Sequence, residues 1–251
     1  MSYLDIQVLL VPLLCAVLVH GSLRRGLDQR SWWTGVAVLA VIASVWTTPW
    51  DNWMVATGVW GYPPDAVIGT VGHIPVEEQA FFVLQTVLTG AFLGLLIGPR
   101  EPQAKRRHGV RWLAAGLCLG LVVTGAVLFG RGYVYMGSMC VWFGIPLAVQ
   151  LAWGADQLLR HVGSMVPAIV VPTAILCVLD SLAVTEGTWF FDESTLTGLR
   201  LGSLPLEEVV FFGFTNVLIV VGLTLWHELD WAELRRRAGV GGWRFGLQSA
   251  P

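Results

Sequence analysis

The chain has 251 residues, 55% of them hydrophobic and only 13% charged, about half the charge of an ordinary soluble domain. With a formal charge of -2 there is no electrostatic basis for binding nucleic acid or another polyelectrolyte. A mean hydropathy of +0.67 describes a protein whose solvent is mostly lipid.

Taken in chain order, apolar segments of spanning length, about 20 residues each, run over 3–20, 32–49, 76–98, 111–130, 133–154, 164–183 and 205–226. The first has no basic n-region and no small-residue cleavage pattern, so it reads as a retained helix. Seven spans put alternate loops on opposite sides. Arg24, Arg25, Arg30, Arg100, Lys105, Arg106, Arg107, Arg111, Arg160, Arg235, Arg236, Arg237 and Arg244 then share one side, against Arg131 and Arg200 on the other. The positive-inside rule makes this a multi-pass protein of the cell membrane with its N-terminus outside and its C-terminus in the cytoplasm. The outer side collects acid instead: Asp51, Asp65, Glu77, Glu78, Asp180, Glu186, Asp192, Glu193, Glu207 and Glu208. The basic residues read as a solvated rim facing lipid headgroups. Trp32, Trp33, Trp50, Trp53, Trp112, Trp153, Trp226 and Trp231, near span ends, read as interfacial anchors. Cys15, Cys118, Cys140 and Cys177 lie within spans without a Cys-x-x-Cys pair and read as small buried hydrophobes.

Two segments repeat. Asp51, Gly58, Trp60, Tyr62, Ile74-Pro75-Val76-Glu77-Glu78 and Phe81-Phe82 match Asp180, Gly187, Trp189, Phe191, Leu204-Pro205-Leu206-Glu207-Glu208 and Phe211-Phe212. Each copy is a helix ending in an acid, an outer loop, and a helix opening with Pro-x-Glu-Glu. An offset of four spans preserves direction, so the fold class expected is an all-α integral membrane bundle of seven transmembrane helices with a parallel internal repeat. Residues 1–98 form the first three-helix unit, 99–132 a connecting fourth helix, 133–226 the second unit and 227–251 a cytoplasmic tail. Pro12-Leu13 and Pro146-Leu147 are possible equivalents in helices one and five.

Proline is pre-organised for the first helical position, which places the glutamates in the first turn. At i+7, Glu78 shares a face with Gln85 and Glu208 with Thr215, with Phe81 and Phe211 beside them. One such acidic pair would merely complement the helix macrodipole. Two copies with matched aspartates and aromatics favour a functional reading, because ionisable groups near lipid are costly. The macrodipole favours carboxylate, whereas burial and mutual repulsion favour the acid. Phe81, Phe82, Phe211, Phe212, Trp60 and Trp189 either pack in the membrane or line a pocket for an apolar substrate. In a pocket, each ring face could stabilise transient positive charge by about 0.5–2 kcal/mol. His73 is matched by Ser203 and reads as a local loop residue. The sequence has no dinucleotide fingerprint, no phosphate loop and no metal motif. Lys105, the only lysine, lies in an inner loop and not in a span, where a retinal Schiff base would need it.

The doubled Pro-x-Glu-Glu, each followed by Phe-Phe and preceded by an acid and Gly-x-Trp, resembles the flavin-free membrane lycopene cyclases. Some bacteria make these as two small subunits; archaea make them as one fused chain, as does the N-terminal part of fungal bifunctional enzymes. The fused form fits residues 1–226. The resemblance implies an intramolecular lyase-type isomerase of carotenoid biosynthesis that protonates the end of linear lycopene and closes a ring, a β-ring in the commonest case. It implies no cofactor and no metal. Carried over, Glu77, Glu78, Glu207 and Glu208 are acid and base candidates, supported by Asp51 and Asp180. Trp60, Phe81, Phe82, Gln85, Trp189, Phe211, Phe212 and Thr215 would hold the polyene end. The implied partners are a hydrophobic carotenoid, membrane lipid and other carotenoid biosynthesis enzymes, and no nucleic acid. A cyclase of C50 carotenoids making ε- or γ-rings, a small transporter and a non-catalytic scaffold are the alternatives. If both cassettes face one side, they build one composite site that treats one substrate end at a time.

Overall fold

The computed structural model describes residues 11–25, 27–63, 67–100 and 106–229. Among them are seven α-helices: α1 (Val11–Leu23), α2 (Gln29–Ala56), α3 (Val76–Leu96), α4 (His108–Gly130), α5 (Val134–Leu158), α6 (Val162–Thr185) and α7 (Leu206–Glu228). The helices α2 to α7 are each long and apolar enough to cross a bilayer, so this is a multi-pass membrane protein. The 13 described residues of α1 are apolar but shorter than a span. The start of the first expected span, Asp65, Lys105, Trp231, Arg235, Arg236, Arg237, Arg244 and nearly all of the expected tail lie outside the described residues.

At the centre, α3 and α7 pack on each other. The helices α2 and α6 each touch both of them, α1 lies against α3, and α5 against α7. The connecting helix α4 packs mainly on α5, and only 11% of its spanning window is buried. Small residues allow that pair to close. A Cβ at Gly137 would lie 2.4 Å from the backbone nitrogen of Phe129, and one at Gly125 would lie 2.7 Å from the Gly137 carbonyl oxygen. Without a hydrophobic drive between helices in lipid, such close backbone approach is a main source of adhesion.

Two boundaries differ from the sequence reading. The helices α2 and α6 do not end at Asp51 and Asp180 but run on to Ala56 and Thr185, so each aspartate sits inside its helix. The terminators are Gly58 and Gly187, at φ +78 and +72. They close matched caps in which Val59 N–H donates to Met54 O and Thr188 N–H to Ala183 O. The second difference concerns Pro75 and Pro205, which stand at the N-cap with extended ψ (147 and 144) instead of inside the first turn. Each proline also ends a two-residue strand.

Those strands belong to matched hairpins. Strand β2 (Thr70–Val71) pairs with β3 (Ile74–Pro75), and β5 (Arg200–Leu201) with β6 (Leu204–Pro205); β1 (Trp60–Gly61) pairs instead with β4 (Phe190–Phe191) of the other loop. The residue after each aspartate latches its hairpin. Asn52 Oδ1 accepts from His73 N–H at 2.7 Å, and the Ser181 and Ser203 hydroxyls lie 2.7 Å apart.

Several residues expected at the surface are buried. Trp32 and Trp50 are 2% and 3% exposed, whereas Trp112 and Trp153 do face outward. Arg111 is not a solvated rim residue; its Nε donates to Asp156 Oδ1 at 2.5 Å. Arg160 Nη2 and His161 Nε2 meet the fully buried Glu228 carboxylate at 2.6 and 2.8 Å. Deep charges are tolerated in lipid when paired in this way. Gly137→Val should cost about 1–3 kcal/mol through overpacking of α4 against α5. Gly120→Ala, with open space around the site, should cost nothing measurable. Thermal unfolding of both variants in detergent tests this.

Candidate functional site

Four of the six expected acids converge on one cavity. Asp51 from α2, Glu78 from α3, Asp180 from α6 and Glu208 from α7 line a space of about 730 Å³, counted to its open mouth. Trp60, Phe81, Trp189, Phe211 and Phe212 line it too, as expected. Among the described residues that line it there is no lysine, arginine or histidine. Both cassettes therefore meet in a single chamber. Each contributes an aspartate from inside one helix and a glutamate from the first turn of the next.

The remaining two acids face elsewhere. Glu77 Oε1 accepts from the backbone N–H of Ile68 at 2.7 Å, and Glu207 Oε1 from that of Thr197 at 2.6 Å. Each folds its outer loop back onto a helix N-terminus, where a carboxylate is electrostatically welcome. In each pair the macrodipole reading thus fits the first glutamate and the chamber holds the second. Phe82, Gln85 and Thr215 lie one layer deeper. There Gln85 Nε2 donates to Thr215 Oγ1 at 2.6 Å and ties α3 to α7.

Two tyrosines absent from the sequence-derived site bind its glutamates. Tyr62, on the first outer loop, donates to Glu78, and Tyr135, in the first turn of α5, donates to Glu208 Oε1 at 2.6 Å. The first was visible as a repeat position matched by Phe191, which also lines the chamber. Tyr135 has no such marker, because the matched segments begin at Asp51 and Asp180 and leave α5 outside them. Trp50 was hidden by its position near an apparent span end. Its ring stacks on Phe211 at 6.0 Å and 11°, its edge meets Phe143, and its Nε1 donates to Ser138 Oγ at 3.2 Å. Tyr135 packs on Trp60 at 5.0 Å, completing an aromatic wall beside Glu208.

Asp51 and Asp180 are 1% and 5% exposed, and neither carboxyl oxygen of either has a hydrogen-bond partner among the described residues. Leaving a buried polar group unpaired costs on the order of 1–3 kcal/mol. Both aspartates line the chamber, so a guest there could supply the partner that each lacks among the described residues. Overhead, the β1–β4 bridge pairs Trp60 with Phe191 and Gly61 with Phe190, and Asp192 N–H donates to Val59 O at 2.9 Å. This bridge roofs the chamber and joins the loops of the two cassettes.

A chamber of this kind can give a proton to an apolar guest, surround the resulting cation with ring faces and carboxyl oxygens, and take a proton back. Dissecting the two glutamate roles is direct. Glu207→Ala should speed hydrogen exchange at Thr197 and its neighbours at least about tenfold by removing a bond worth about 1–3 kcal/mol. Glu208→Gln should leave that exchange unchanged.

Comparison with known proteins follows the same division of the chain. The family model described as lycopene cyclase matches residues 3–96 and 132–227. A lycopene beta-cyclase of Halobacterium salinarum is 36% identical over 90% of this chain and 95% of its own length. Bifunctional lycopene cyclase/phytoene synthases of Aspergillus niger and Sporisorium reilianum are 33% and 32% identical over 75% and 88% of this chain, which spans 34% of each. No solved structure matches.

Proposed function

The chain belongs to the lycopene cyclase family, and from that premise we propose that it is a lycopene β-cyclase that closes the ends of linear lycopene by adding and removing one proton. The observation that carries this reading is the meeting of Asp51, Glu78, Asp180 and Glu208 in one aromatic-walled chamber. A carboxylic acid adds its proton to the terminal carbon–carbon double bond and leaves a tertiary cation. The neighbouring double bond attacks that cation, a six-membered ring forms, and the positive charge moves onto the ring. A carboxylate then removes a ring proton, and those electrons form the ring double bond. One proton enters and one leaves, so the reaction is redox-neutral and needs no electron carrier.

Glu78 and Glu208 are the acid–base pair in this reading. Each is oriented by a tyrosine hydroxyl, and each sits at the start of a central helix whose register is fixed by a hairpin. Asp51 and Asp180, with no competing partners, hold and relay the proton. Trp50, Trp60, Tyr135 and Phe211 turn ring surface toward the cationic end, each worth about 0.5–2 kcal/mol. Glu77 and Glu207 act on the loops and not on the substrate.

The architecture in this proposal is a seven-span bundle of two parallel three-helix units, 1–98 and 133–226, joined by α4 over 99–132. Matched hairpins, matched helix caps and the two separate stretches of family similarity support it. The sequence's charge asymmetry supports an outside N-terminus and a cytoplasmic C-terminus, with the chamber then near the outer leaflet. The partners are the carotenoid, membrane lipid and neighbouring enzymes of the same biosynthesis.

Pigment analysis of a bacterial host that accumulates lycopene tests the proposal. Expression of the chain should convert lycopene to a bicyclic carotene through a transient monocyclic species, since one chamber treats one end at a time. Glu78→Gln and Glu208→Gln should each lower conversion at least about a hundredfold, the range of general acid–base catalysis. Unchanged lycopene with the protein present in the membrane would overturn the activity. Near-normal rates in either variant, or bicyclic product with no monocyclic species at any time, would overturn the composite site.

A further inference from the structure

A second cavity of about 720 Å³, counted to its open mouth, lies one layer deeper than the acidic chamber. Four helices wall both spaces and descend together from one to the other. On α2 the lining passes from Asp51 and Trp50 to Thr47, Ala43 and Leu39; on α3 from Glu78 and Phe81 to Phe82 and Gln85. On α5 it passes from Tyr135 to Phe143 and Pro146, and on α7 from Glu208 and Phe211 to Thr215 and Leu218. The two spaces are lined by successive turns of the same four helices. Phe143, which lines the deeper cavity, packs edge-on against Phe211 at 5.7 Å and Trp50 at 5.6 Å, both of which line the chamber.

The deeper cavity opens toward lipid between α2 and α5, where Ile42 is 54% exposed at its mouth. The opening is braced by a reciprocal pair. Trp46 Nε1 donates to Trp142 O at 3.3 Å and Trp142 Nε1 to Trp46 O at 3.1 Å. The Trp142 carbonyl is available because Pro146, four residues on, has no N–H to offer it.

We propose that this deeper cavity holds the linear polyene of the substrate whose end occupies the acidic chamber, and that the polyene leaves the protein into lipid between α2 and α5. This rests on the cyclase reading. A C40 chain is far longer than the chamber, whose outer side is roofed by the β1–β4 bridge. The remainder must run inward or sideways through apolar space, and the second cavity adjoins the first across the rings of Phe143, Phe211 and Trp50. Its size, mostly apolar lining and lipid-facing mouth suit a long, methyl-branched conjugated chain better than a compact ligand.

The test compares lycopene with a truncated polyene aldehyde that keeps one lycopene end group, both supplied in liposomes containing the full-length protein. Ala43→Phe, which fills the cavity from α2, and Ile42→Trp, which narrows its mouth, should each lower kcat/KM for lycopene relative to the truncated substrate by about tenfold or more. Val45→Phe, on the 70% exposed lipid face of α2, should leave that ratio unchanged. An unchanged ratio in Ala43→Phe and Ile42→Trp would overturn the proposal and assign the cavity to a lipid acyl chain. If the wild type turns over neither substrate, the cyclase reading itself fails.

Discussion

A carboxyl group carried into a bilayer must face the interior of the bundle, because an acidic residue at the centre of a lipid-facing helix costs about 2.5–3.5 kcal/mol or more. This protein carries four of them into one chamber without a basic residue among the described residues of its lining. Much of the architecture can be traced to that constraint. The central pair α3 and α7 delivers one glutamate each, α2 and α6 deliver the aspartates, and the less buried α4 is pushed to the periphery, where it contributes nothing to the site. The charges at the other end obey the same constraint differently, since Glu228 and Asp156 are neutralised by direct pairing with Arg160, His161 and Arg111.

The outer loops do more than connect. Each is clamped at its base by the first glutamate of its own cassette, latched at its hairpin by the residue after the aspartate, and bridged to the other loop by β1 and β4. The roof over the chamber therefore depends on both repeats together. It also carries Tyr62, the partner of Glu78, whereas the partner of Glu208 stands on a helix. The two glutamates, equivalent in sequence, thus have unlike surroundings: one answers to the position of a loop and the other to a fixed helix face.

The aspartates, the Pro-x-Glu-Glu motifs and the aromatic pairs were legible in the sequence because they occur twice at a constant spacing. Repetition separates a site from lipid-facing background when single residues cannot. What was not legible lacked that marker. Adjacent glutamates look alike on paper, and only the i to i+1 rotation of a helix, together with the loop N–H groups of Ile68 and Thr197, separates Glu77 from Glu78 and Glu207 from Glu208. Tyr135 has no repeated counterpart, and Trp50 looked like an anchor because the helix was expected to stop beside it. The helix continues past Pro49 to a glycine cap, which moves Trp50 and Asp51 from the interface into the core. Arg111 and Arg160 were misread for a related reason: a charge count by loop cannot reveal that a carboxylate 45 or 68 residues away in sequence is folded beside them.

The central claim is that the two cassettes close over one chamber, and a cross-link between them tests it most directly. Gly61 and Phe190 are opposed in the β1–β4 bridge, at a Cα spacing suited to a disulfide, about 4.4–6.8 Å. The Gly61→Cys/Phe190→Cys protein would be oxidised in the membrane, cut by protease in the loop between α3 and α4, and run on a denaturing gel without reductant. The account predicts that the halves migrate together until reductant separates them; halves that part without reductant would contradict it.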